Sequence, residues 1–301
     1  MIHRTTHMAT QRTSLANMQK NLAAMAALQE QASSGRRINK VSDDPSGAAD
    51  ALSLRREQTA TAQHARNAQD GQSWLNLADS ALTSTSSLLR RARDLVVQGS
   101  NTGTMNGEAR EAIAAELEGI KEVLLDQANT TYLGRHIFAG TSGADYAFDP
   151  TTYTYSGVPA ASVERRTSDT STVRVDTDGA EVFGTSTDPA SPDYSVFALI
   201  DDVTTTIRSG GNPQSALNQI DDRLTKVWNA SATVGARSNQ LERAASFTQY
   251  KSETLKNDIA GIENVDFAQT IIELKLQEVA YTSSLNATSR VLQPSLLEYL
   301  R

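Results

Sequence analysis

The sequence predicts a mainly α-helical protein: an elongated antiparallel helical rod or coiled coil, with paired N- and C-terminal helices and a small central β insertion. Three observations support this fold class. Apolar and small residues recur at alternating spacings of three and four in long segments toward both chain ends. That periodicity stops in a central segment rich in Gly, Thr, Ser, Asp and Tyr. Only 5% of the residues are aromatic, which favours thin helical bundles over a thick globular core.

The longest periodic segment predicts a helix over 213–258, opened by Asn212 and Pro213. Such a helix would be ~69 Å long, whereas a compact chain of 301 residues has a radius of gyration of only ~19 Å. We therefore expect a rod. Ser231 and Ser238 weaken burial in this seam but suit the selection of register. The seam contains Leu217, Ile220, Leu224, Val227, Ser231, Val234, Ser238, Leu241, Ala245, Thr248, Ser252, Leu255, Ile259 and Ile262.

Further helical seams lie on both sides of the central segment. The turn GSNTGTMNG at 99–107 separates two of them, so that 108–133 is the returning helix. The C-terminal helix carries a second apolar stripe, Ile272, Leu276 and Val279, and needs more than one neighbour. The N-terminal seam comprises Met8, Gln11, Leu15, Met18, Leu22, Met25, Gln29 and Ala32; the next comprises Leu75, Ala78, Leu82, Thr85, Leu89, Ala92 and Val96; the C-terminal seam comprises Phe267, Ile271, Leu274, Glu278, Tyr281, Leu285, Thr288 and Leu292.

Two helix starts are marked by capping residues. Asp44 followed by Pro45 predicts an N-cap with proline at the first helical position, where its missing amide costs nothing. Asp266 with Gln269 three residues later predicts a capping box.

The central segment predicts a small β-rich insertion of about 50 residues. Its alternating runs TYTYSG, STVRVD and AEVFG are separated by turn-forming dipeptides. The resulting plan is nested: 1–44 with 258–301 form a terminal helical assembly domain, 45–140 with 194–257 form a helical rod domain, and 141–193 form the insertion domain. Both termini are amphipathic and meet away from the main core, so their exposed faces invite other subunits.

Composition excludes several classes of function. The net charge of −7 argues against nucleic-acid binding, which requires a basic surface. No stretch approaches the ~18 apolar residues of a membrane span, and no cleaved signal peptide is recognisable. We therefore expect no membrane insertion, and either a cytosolic protein or one exported without a cleaved signal. Cysteine is absent, which removes disulfides and thiol chemistry.

No catalytic or cofactor site is predicted. His3 and His7 have helical i, i+4 spacing but lack a third ligand, so an ordinary solvated pair is favoured over a metal site. Asp43 and Asp44 are adjacent and point in different directions, whereas acid–base carboxylates must converge across a cleft. We therefore predict that the chain is not an enzyme and binds no cofactor.

Three segments closely resemble the N-terminal signature of flagellins and flagellar hook-associated proteins. They are SSGRRINKVSDDPSGAADAL at 33–52, RNAQDGQSWLNLADSAL at 66–82 and RRARDLVVQGSN at 90–101. The matching residues are Ser34, Gly35, Arg37, Ile38, Asn39, Asp43, Asp44, Gly47, Ala48, Asn67, Asp70, Gly71 and Leu82.

Other segments are similar to the branch of this family that forms the hook–filament junction, the hook-associated protein 3 branch. GRHIFAGT at 134–141 resembles that branch's strand opening the insertion, and AEVFG at 180–184 resembles the closing strand. VGARSNQLE at 234–242 and the tail from Ile262 to Leu300 resemble its second rod helix and its terminal helix. The basic, polar stretch VERRTSDTS at 163–171 departs from the pattern.

The resemblance implies a secreted structural protein of the bacterial flagellum, exported through the flagellar type III apparatus. Its implied partners are hook-associated protein 1, flagellin subunits, further copies in a ring-like layer and a cytosolic export chaperone. Filament flagellin itself stays open as an alternative, and a cytosolic coiled-coil adaptor is the alternative of another class.

The candidate assembly residues are apolar positions on the terminal helices together with two positions on the rod. Arg91 and Leu95 are included because the matching flagellin segment lies on a packing face; a solvated helix face is the alternative for Arg91. The full set is Leu15, Met18, Leu22, Met25, Arg91, Leu95, Phe267, Ile271, Leu274, Tyr281, Leu285, Leu292 and Leu297.

Overall fold

A computed structural model of the chain describes residues 2–101, 106–158 and 161–292, with side chains in the terminal helices from 12 onward and up to 289. Within these residues the chain forms seven α-helices and four short strands, which confirms the predicted mainly α class with a small β-containing insertion. None of the described helices combines the length and the apolar character needed to cross a bilayer.

The chain divides into two compact units. The terminal unit comprises Met1–Ala60 and Lys251–Arg301, and the central unit comprises Thr61–Tyr250. Two helices, α2 (Pro45–Gly99) and α6 (Ala216–Glu263), contribute to both units. The three-part division expected from the sequence, with boundaries at 44 and 258 and a separate insertion domain, stays a prediction.

In the central unit α2 and α6 run antiparallel. Leu82 and Leu89 of α2 and Leu224 of α6 are fully buried in the shared core. Polar pairs fix the register along the same seam: Gln72 donates to Ser238 at 2.6 Å and Ser231 donates to Asp79 at 3.1 Å. The serines that interrupt the predicted heptads therefore bind specific partners on α2, as the sequence indicated.

The long helix begins later and ends later than predicted. Residues Pro213–Ser215 form a 3-10 turn capped by Asn212, and α6 extends to Glu263 instead of 258. The returning helix α3 (Gly107–Ala128) stops before 133, because the chain there turns into a hairpin. A further helix, α5 (Val196–Arg208), had no predicted boundaries; it packs on α3, where Arg208 pairs with Glu111 and Glu118.

The insertion contains less β-structure than predicted. Strands β1 (Thr131–Tyr132) and β2 (Arg135–His136) form one two-stranded sheet, and β3 (Glu164–Arg166) and β4 (Thr172–Arg174) form another. TYTYSG makes a single bridge, Phe148 to Tyr155. The predicted strand AEVFG is instead helix α4 (Gly179–Phe183), because Asp178 caps the Ala180 amide and Gly184 ends the turn at φ 78°.

The low aromatic content predicted no thick globular core, and this prediction is wrong around the insertion. Phe148 and Phe183 of the insertion, together with Phe138 before it and Phe197 of α5, are fully buried in one core. Phe148 contacts the rings of Phe183 and Phe197 at centroid separations of 5.5 and 5.4 Å. The few aromatic residues are concentrated in this place, so a low average content did not exclude a local aromatic core.

The insertion is fastened to α2 by residues of the predicted family signature. Asp70 accepts hydrogen bonds from Arg165 at 2.6 Å and from the Tyr132 hydroxyl at 3.1 Å. Asn67 donates to the Arg166 carbonyl at 2.9 Å. A Cβ at Gly71 would lie 2.9 Å from Leu241 Cδ1, so a larger residue there would require the end of the Leu241 side chain to shift. The basic stretch that departs from the family pattern thus supplies strand β3 and its anchor.

We expect Asp70→Ala to release this anchor. The substitution leaves the half-buried Arg165 guanidinium without its carboxylate, so unfolding of the central unit should cost about 1–3 kcal/mol less. Chemical denaturation measures that loss, and limited proteolysis should cut 163–171 faster. Asp94→Ala is the matched control, because Asp94 lies exposed on the same helix without an ion pair among the described contacts. Equal effects of the two substitutions would contradict the anchoring role.

Candidate assembly interface

The terminal unit is built on an antiparallel pair of helices, α1 (Ile2–Ser34) and α7 (Phe267–Leu292). The end of α1 lies beside the start of α7, where the Val265 amide donates to the Gly35 carbonyl. Further along, Asn21 contacts both Gln277 and Ser284. These contacts establish both the antiparallel direction and the register of the pair.

The seam between these helices is narrow and partly polar. Met18 and Met25 of α1 and Leu274 and Tyr281 of α7 are half-buried in it. Their role in assembly stays a prediction. Apart from Leu28, the other members of the seam are small or polar, and Gln277 donates to the Asn21 carbonyl at 3.1 Å. Among the described side chains, the seam contains Ser14, Met18, Asn21, Met25, Leu28 and Ala32 on α1 and Thr270, Leu274, Gln277, Tyr281, Ser284 and Thr288 on α7.

The largest apolar side chains of the predicted seams lie outside the observed seam. Leu15 and Leu22 on α1, and Phe267, Ile271 and Leu285 on α7, are between 40% and 53% exposed. The predicted seam positions were therefore partly wrong, because the apolar pattern of each helix spans two adjoining faces and the sequence does not say which face the partner helix covers.

The exposed residues of the two helices fall on one side of the pair. Leu15 and Leu22 each follow a seam residue by one position, and so do Ile271 and Leu285. In an antiparallel pair such positions flank the seam on the same side, because reversing one helix reverses the direction of its rotation. These four residues and Phe267 define what we name the flank stripe.

Helix α7 also carries a second exposed apolar surface. Ile272, Leu276 and Val279 are 61–65% exposed and lie on the side of the helix opposite α1. We name them the far stripe. Helix α7 therefore packs on α1 and still presents two apolar stripes within its own unit.

The connections between the terminal helices are clamped together by signature residues. Arg37 donates from Nη2 to the Ile262 carbonyl at 2.9 Å, and its own amide donates to the Glu263 carbonyl at 2.7 Å. The Glu263 carboxylate pairs with Arg55 at 2.7 Å. Gly35 turns the chain out of α1 at φ 68°, a conformation that favours glycine. Sequence reasoning identified Gly35 and Arg37 only as part of a motif, did not single out Arg55, and missed these contacts.

The two predicted caps have clear geometry. Asp44 accepts the Gly47 amide at 2.9 Å and pairs with Arg37 at 3.0 Å. The Gly47 amide, and next the Arg37 guanidinium, lower the pKa of Asp44 below its ordinary value. Asp266 accepts the amides of Ala268 and Gln269. The Gln269 side chain donates to Glu273, and no hydrogen bond from the Asp266 amide to Gln269 occurs among the described contacts, so the reciprocal half of the capping box does not form there.

The two rod positions proposed as contacts differ from each other. Leu95 is only 1% exposed and belongs to the core of the central unit, so it is unavailable as a subunit contact. Arg91 is exposed and pairs with Glu116 at 2.6 Å. The side chain of Leu292 and the whole of Leu297 lie outside the described residues.

The described side chains offer no alternative site for metal chemistry. No group of three His, Cys, Asp or Glu residues among them has metal-binding geometry. His136 contacts the carbonyl oxygens of Asn129 and Asp145, and His64 contacts Asp169. The side chains of His3 and His7 are outside the described part.

Family models match both ends of the chain. The bacterial flagellin N-terminal helical region matches residues 5–143, and the bacterial flagellin C-terminal helical region matches residues 217–300. The chain belongs to the bacterial flagellin family. This flagellin-family chain is therefore a structural component of the bacterial flagellum.

Relatives of the chain include more than one kind of flagellar protein. It is 26% identical to flagellar hook-associated protein 3 of Salmonella typhimurium over 277 residues, covering 85% of this chain and 87% of the relative. It is 27% identical to flagellin of Bacillus subtilis over 279 residues, covering 90% of each chain.

A solved structure described as a flagellar hook-associated protein from Vibrio parahaemolyticus has the same fold. It matches with a TM-score of 0.67 at 22% identity and covers 74% of this chain and 100% of that one.

The Asp44 cap should make the terminal unit sensitive to acid. Because folding lowers the pKa of Asp44, its carboxylate stabilises the folded state above about pH 4, the ordinary pKa of aspartate. That contribution is lost as the pH falls through the lowered pKa. Asp44→Asn keeps a capping side chain but removes the charge, so it should lower the melting temperature at pH 7, with the deficit shrinking progressively below pH 4.

Thermal denaturation from pH 7 to pH 3 measures this convergence. Asp50→Asn is the control, since Asp50 is exposed on the first turns of the same helix and its carboxylate makes no ion pair among the described residues. A deficit that stays constant with pH would show that the Asp44 charge contributes nothing.

Proposed function

We propose that this chain is the structural subunit of the junction between the flagellar hook and filament, and that it polymerises through its terminal helices. The observation that carries the assembly part is the flank stripe. Five large apolar side chains on two paired helices remain about half exposed, while the seam of the same pair contains serine, threonine, asparagine and glutamine.

Burial of the flank stripe would contribute a substantial part of the free energy of association. Complete burial of a Leu, Ile or Phe side chain is worth roughly 1.5–3 kcal/mol. Burying the remaining halves of five such side chains therefore contributes on the order of 5 kcal/mol for each copy. An exposed apolar patch of this kind on a soluble protein is typical of an interaction site.

Sequence features support the junction role over the rest of the family. The relative from Salmonella typhimurium is named flagellar hook-associated protein 3 and aligns with most of this chain. The segments GRHIFAGT and VGARSNQLE resemble the junction branch. In this proposal the subunits form a ring-like layer whose neighbours are hook-associated protein 1 on one side and flagellin on the other.

Filament flagellin is the second candidate, because the similarity to flagellin of Bacillus subtilis is equally extensive. The same helices would then support a polymer of unlimited length instead of a single layer. The two candidates differ in where the protein is found and in whether the purified chain forms long filaments.

Export and protection of the terminal helices form a further part of the proposal. The chain would leave the cell unfolded through the flagellar type III apparatus, without a cleaved signal. A cytosolic chaperone would cover the C-terminal helix beforehand, since the far stripe and the flank stripe of α7 expose apolar surface that would otherwise aggregate.

The assembly role predicts that polar replacements in the flank stripe abolish assembly but leave folding intact. Leu22→Ser combined with Leu285→Ser removes two exposed side chains that make no large contribution to the core. Cells that produce this variant should release unattached filaments and lose swimming motility. The melting transition of the central unit should shift by less than about 2 °C.

Val123→Ser is the matched control, because Val123 is an exposed apolar residue on α3 in the central unit. It should leave both assembly and motility unchanged. Normal attachment of filaments in cells with the double variant would contradict assembly through the flank stripe.

The junction and filament roles are separated by location. We expect gold label on an epitope-tagged copy to form one narrow band at the distal edge of the hook in negatively stained flagella. Label distributed along the filament would overturn the junction proposal in favour of flagellin. Absence of label from sheared flagella would contradict both and favour the cytosolic adaptor.

A further inference from the structure

The sulfur atoms of the described side chains are confined to one place in the fold. The chain has five methionines and no cysteine. Met18 and Met25 are the two methionines whose side chains the structure describes, and both lie in the seam between α1 and α7. The buried core of the central unit contains no methionine among the described residues. A reagent that attacks thioethers therefore acts on the terminal pair and leaves this core unchanged.

Both thioethers are accessible to small solutes. No described side chain of α1 is fully buried, and Thr270 is the only fully buried one described on α7. Met18 and Met25 are half-buried, because the seam of two helices is narrow. The susceptibility of methionine to oxidation follows the exposure of its sulfur, so these two positions are open to attack.

The two methionines flank the polar contacts that specify the register of the pair. Met18 precedes Asn21 by three positions and Met25 follows it by four, so the three side chains lie along one face of α1. Asn21 contacts both Gln277 and Ser284. The antiparallel direction then places Met18 level with Ser284 and Met25 level with Gln277.

Methionine also provides most of the apolar surface that α1 contributes to the seam. The large apolar residues on that side are Met18, Met25 and Leu28. Leu15 and Leu22 cannot be oxidised by peroxide, and they lie outside the seam. A flexible, polarizable thioether suits an irregular contact with polar neighbours, but its apolar character is lost when the sulfur is oxidised.

We propose that Met18 and Met25 form a modification site, at which peroxides oxidise both thioethers to sulfoxides and thereby open the pair of α1 and α7. In each reaction the sulfur attacks one oxygen of hydrogen peroxide, so that an S–O bond forms and the O–O bond breaks. The proton of the transferred hydroxyl passes to the leaving hydroxide, which departs as water. The sulfur loses two electrons and the peroxide gains them.

Oxidation weakens the seam in two ways. The sulfoxide oxygen is polar, so burying the side chain against α7 no longer removes apolar surface from water. The same oxygen accepts hydrogen bonds, and at Met25 it lies level with the Gln277 amide that donates to Asn21. It therefore competes for the contact that specifies the register. Reduction by a dithiol returns the thioether and releases water, which makes the opening reversible.

Hydrogen exchange of the full-length protein in dilute solution tests the proposal. We expect peptides covering 14–28 and 274–284 to exchange about fivefold faster after treatment with hydrogen peroxide, because the seam opens more often. Peptides covering 75–96, which belong to α2 and contain no methionine, should keep their rates. Treatment with methionine sulfoxide reductases A and B, which reduce the two sulfoxide epimers, should restore the original exchange in the terminal pair.

Met18→Leu combined with Met25→Leu is the matched control, because leucine has a similar volume and no sulfur. The other three methionines, Met1, Met8 and Met105, remain in this variant. Its exchange should not respond to peroxide. Equal acceleration in the variant and the natural chain would overturn the proposal, since oxidation elsewhere would then open the pair. Mass spectra in which Met105 is oxidised while Met18 and Met25 remain thioethers would also overturn it.

Met18→Gln combined with Met25→Gln tests the consequence without an oxidant. Glutamine places a polar group at the end of an unbranched side chain, as a sulfoxide does, so the terminal pair of this variant should exchange faster than that of the double leucine variant. Equal rates would overturn the opening of the seam. The contacts lie within one chain, so labelling along the filament, which contradicts the junction role, would leave these results unaffected.

Discussion

The proposed assembly depends on how the helix pair α1 and α7 distributes its apolar surface. The seam buries only part of this surface, and the outer faces of the pair expose the rest. An antiparallel helix pair buries only one stripe of each helix. In this pair that stripe is filled largely by methionine, small residues and the Asn21–Gln277–Ser284 cluster. Polar contacts specify one register, whereas the larger aliphatic residues lie one position away. The register of the two helices is thus specified within one chain, while their large apolar side chains stay exposed on the outer faces of the pair.

Residues of the family signature hold separate segments of this chain together. Arg37 and Asp44 fasten the α1–α2 connection to the carbonyls that end α6. Asn67 and Asp70 fasten the insertion to α2. Arg37 and Asp44 satisfy backbone groups where the chain changes direction, which is where helices leave such groups unpaired. Asn67 and Asp70 instead bind the insertion from the middle of α2. A motif that superficially offers paired carboxylates therefore has a structural explanation.

The insertion shows how composition can mislead at short range. Its sequence is rich in residues that favour turns, and its strands are only two or three residues long. Its stability comes instead from buried phenylalanines and from the anchor on α2. The tip of the β1–β2 hairpin differs, because Leu133 has a positive φ and its side chain is exposed.

The sequence by itself determined the long helices, because a heptad pattern sustained over many turns has only one regular interpretation. It also determined the starts at Pro45 and Phe267, since Asp44 and Asp266 act on amides within three residues. It did not determine whether AEVFG forms a strand or a helix, because five residues are too few for periodicity to decide. Only the tertiary structure decided which face of α1 meets α7, and that Leu95 is buried while Leu15 and Leu22 are exposed. The reason is physical: local pattern fixes how a helix is amphipathic, but the partner that covers each face is a property of contacts between residues hundreds of positions apart.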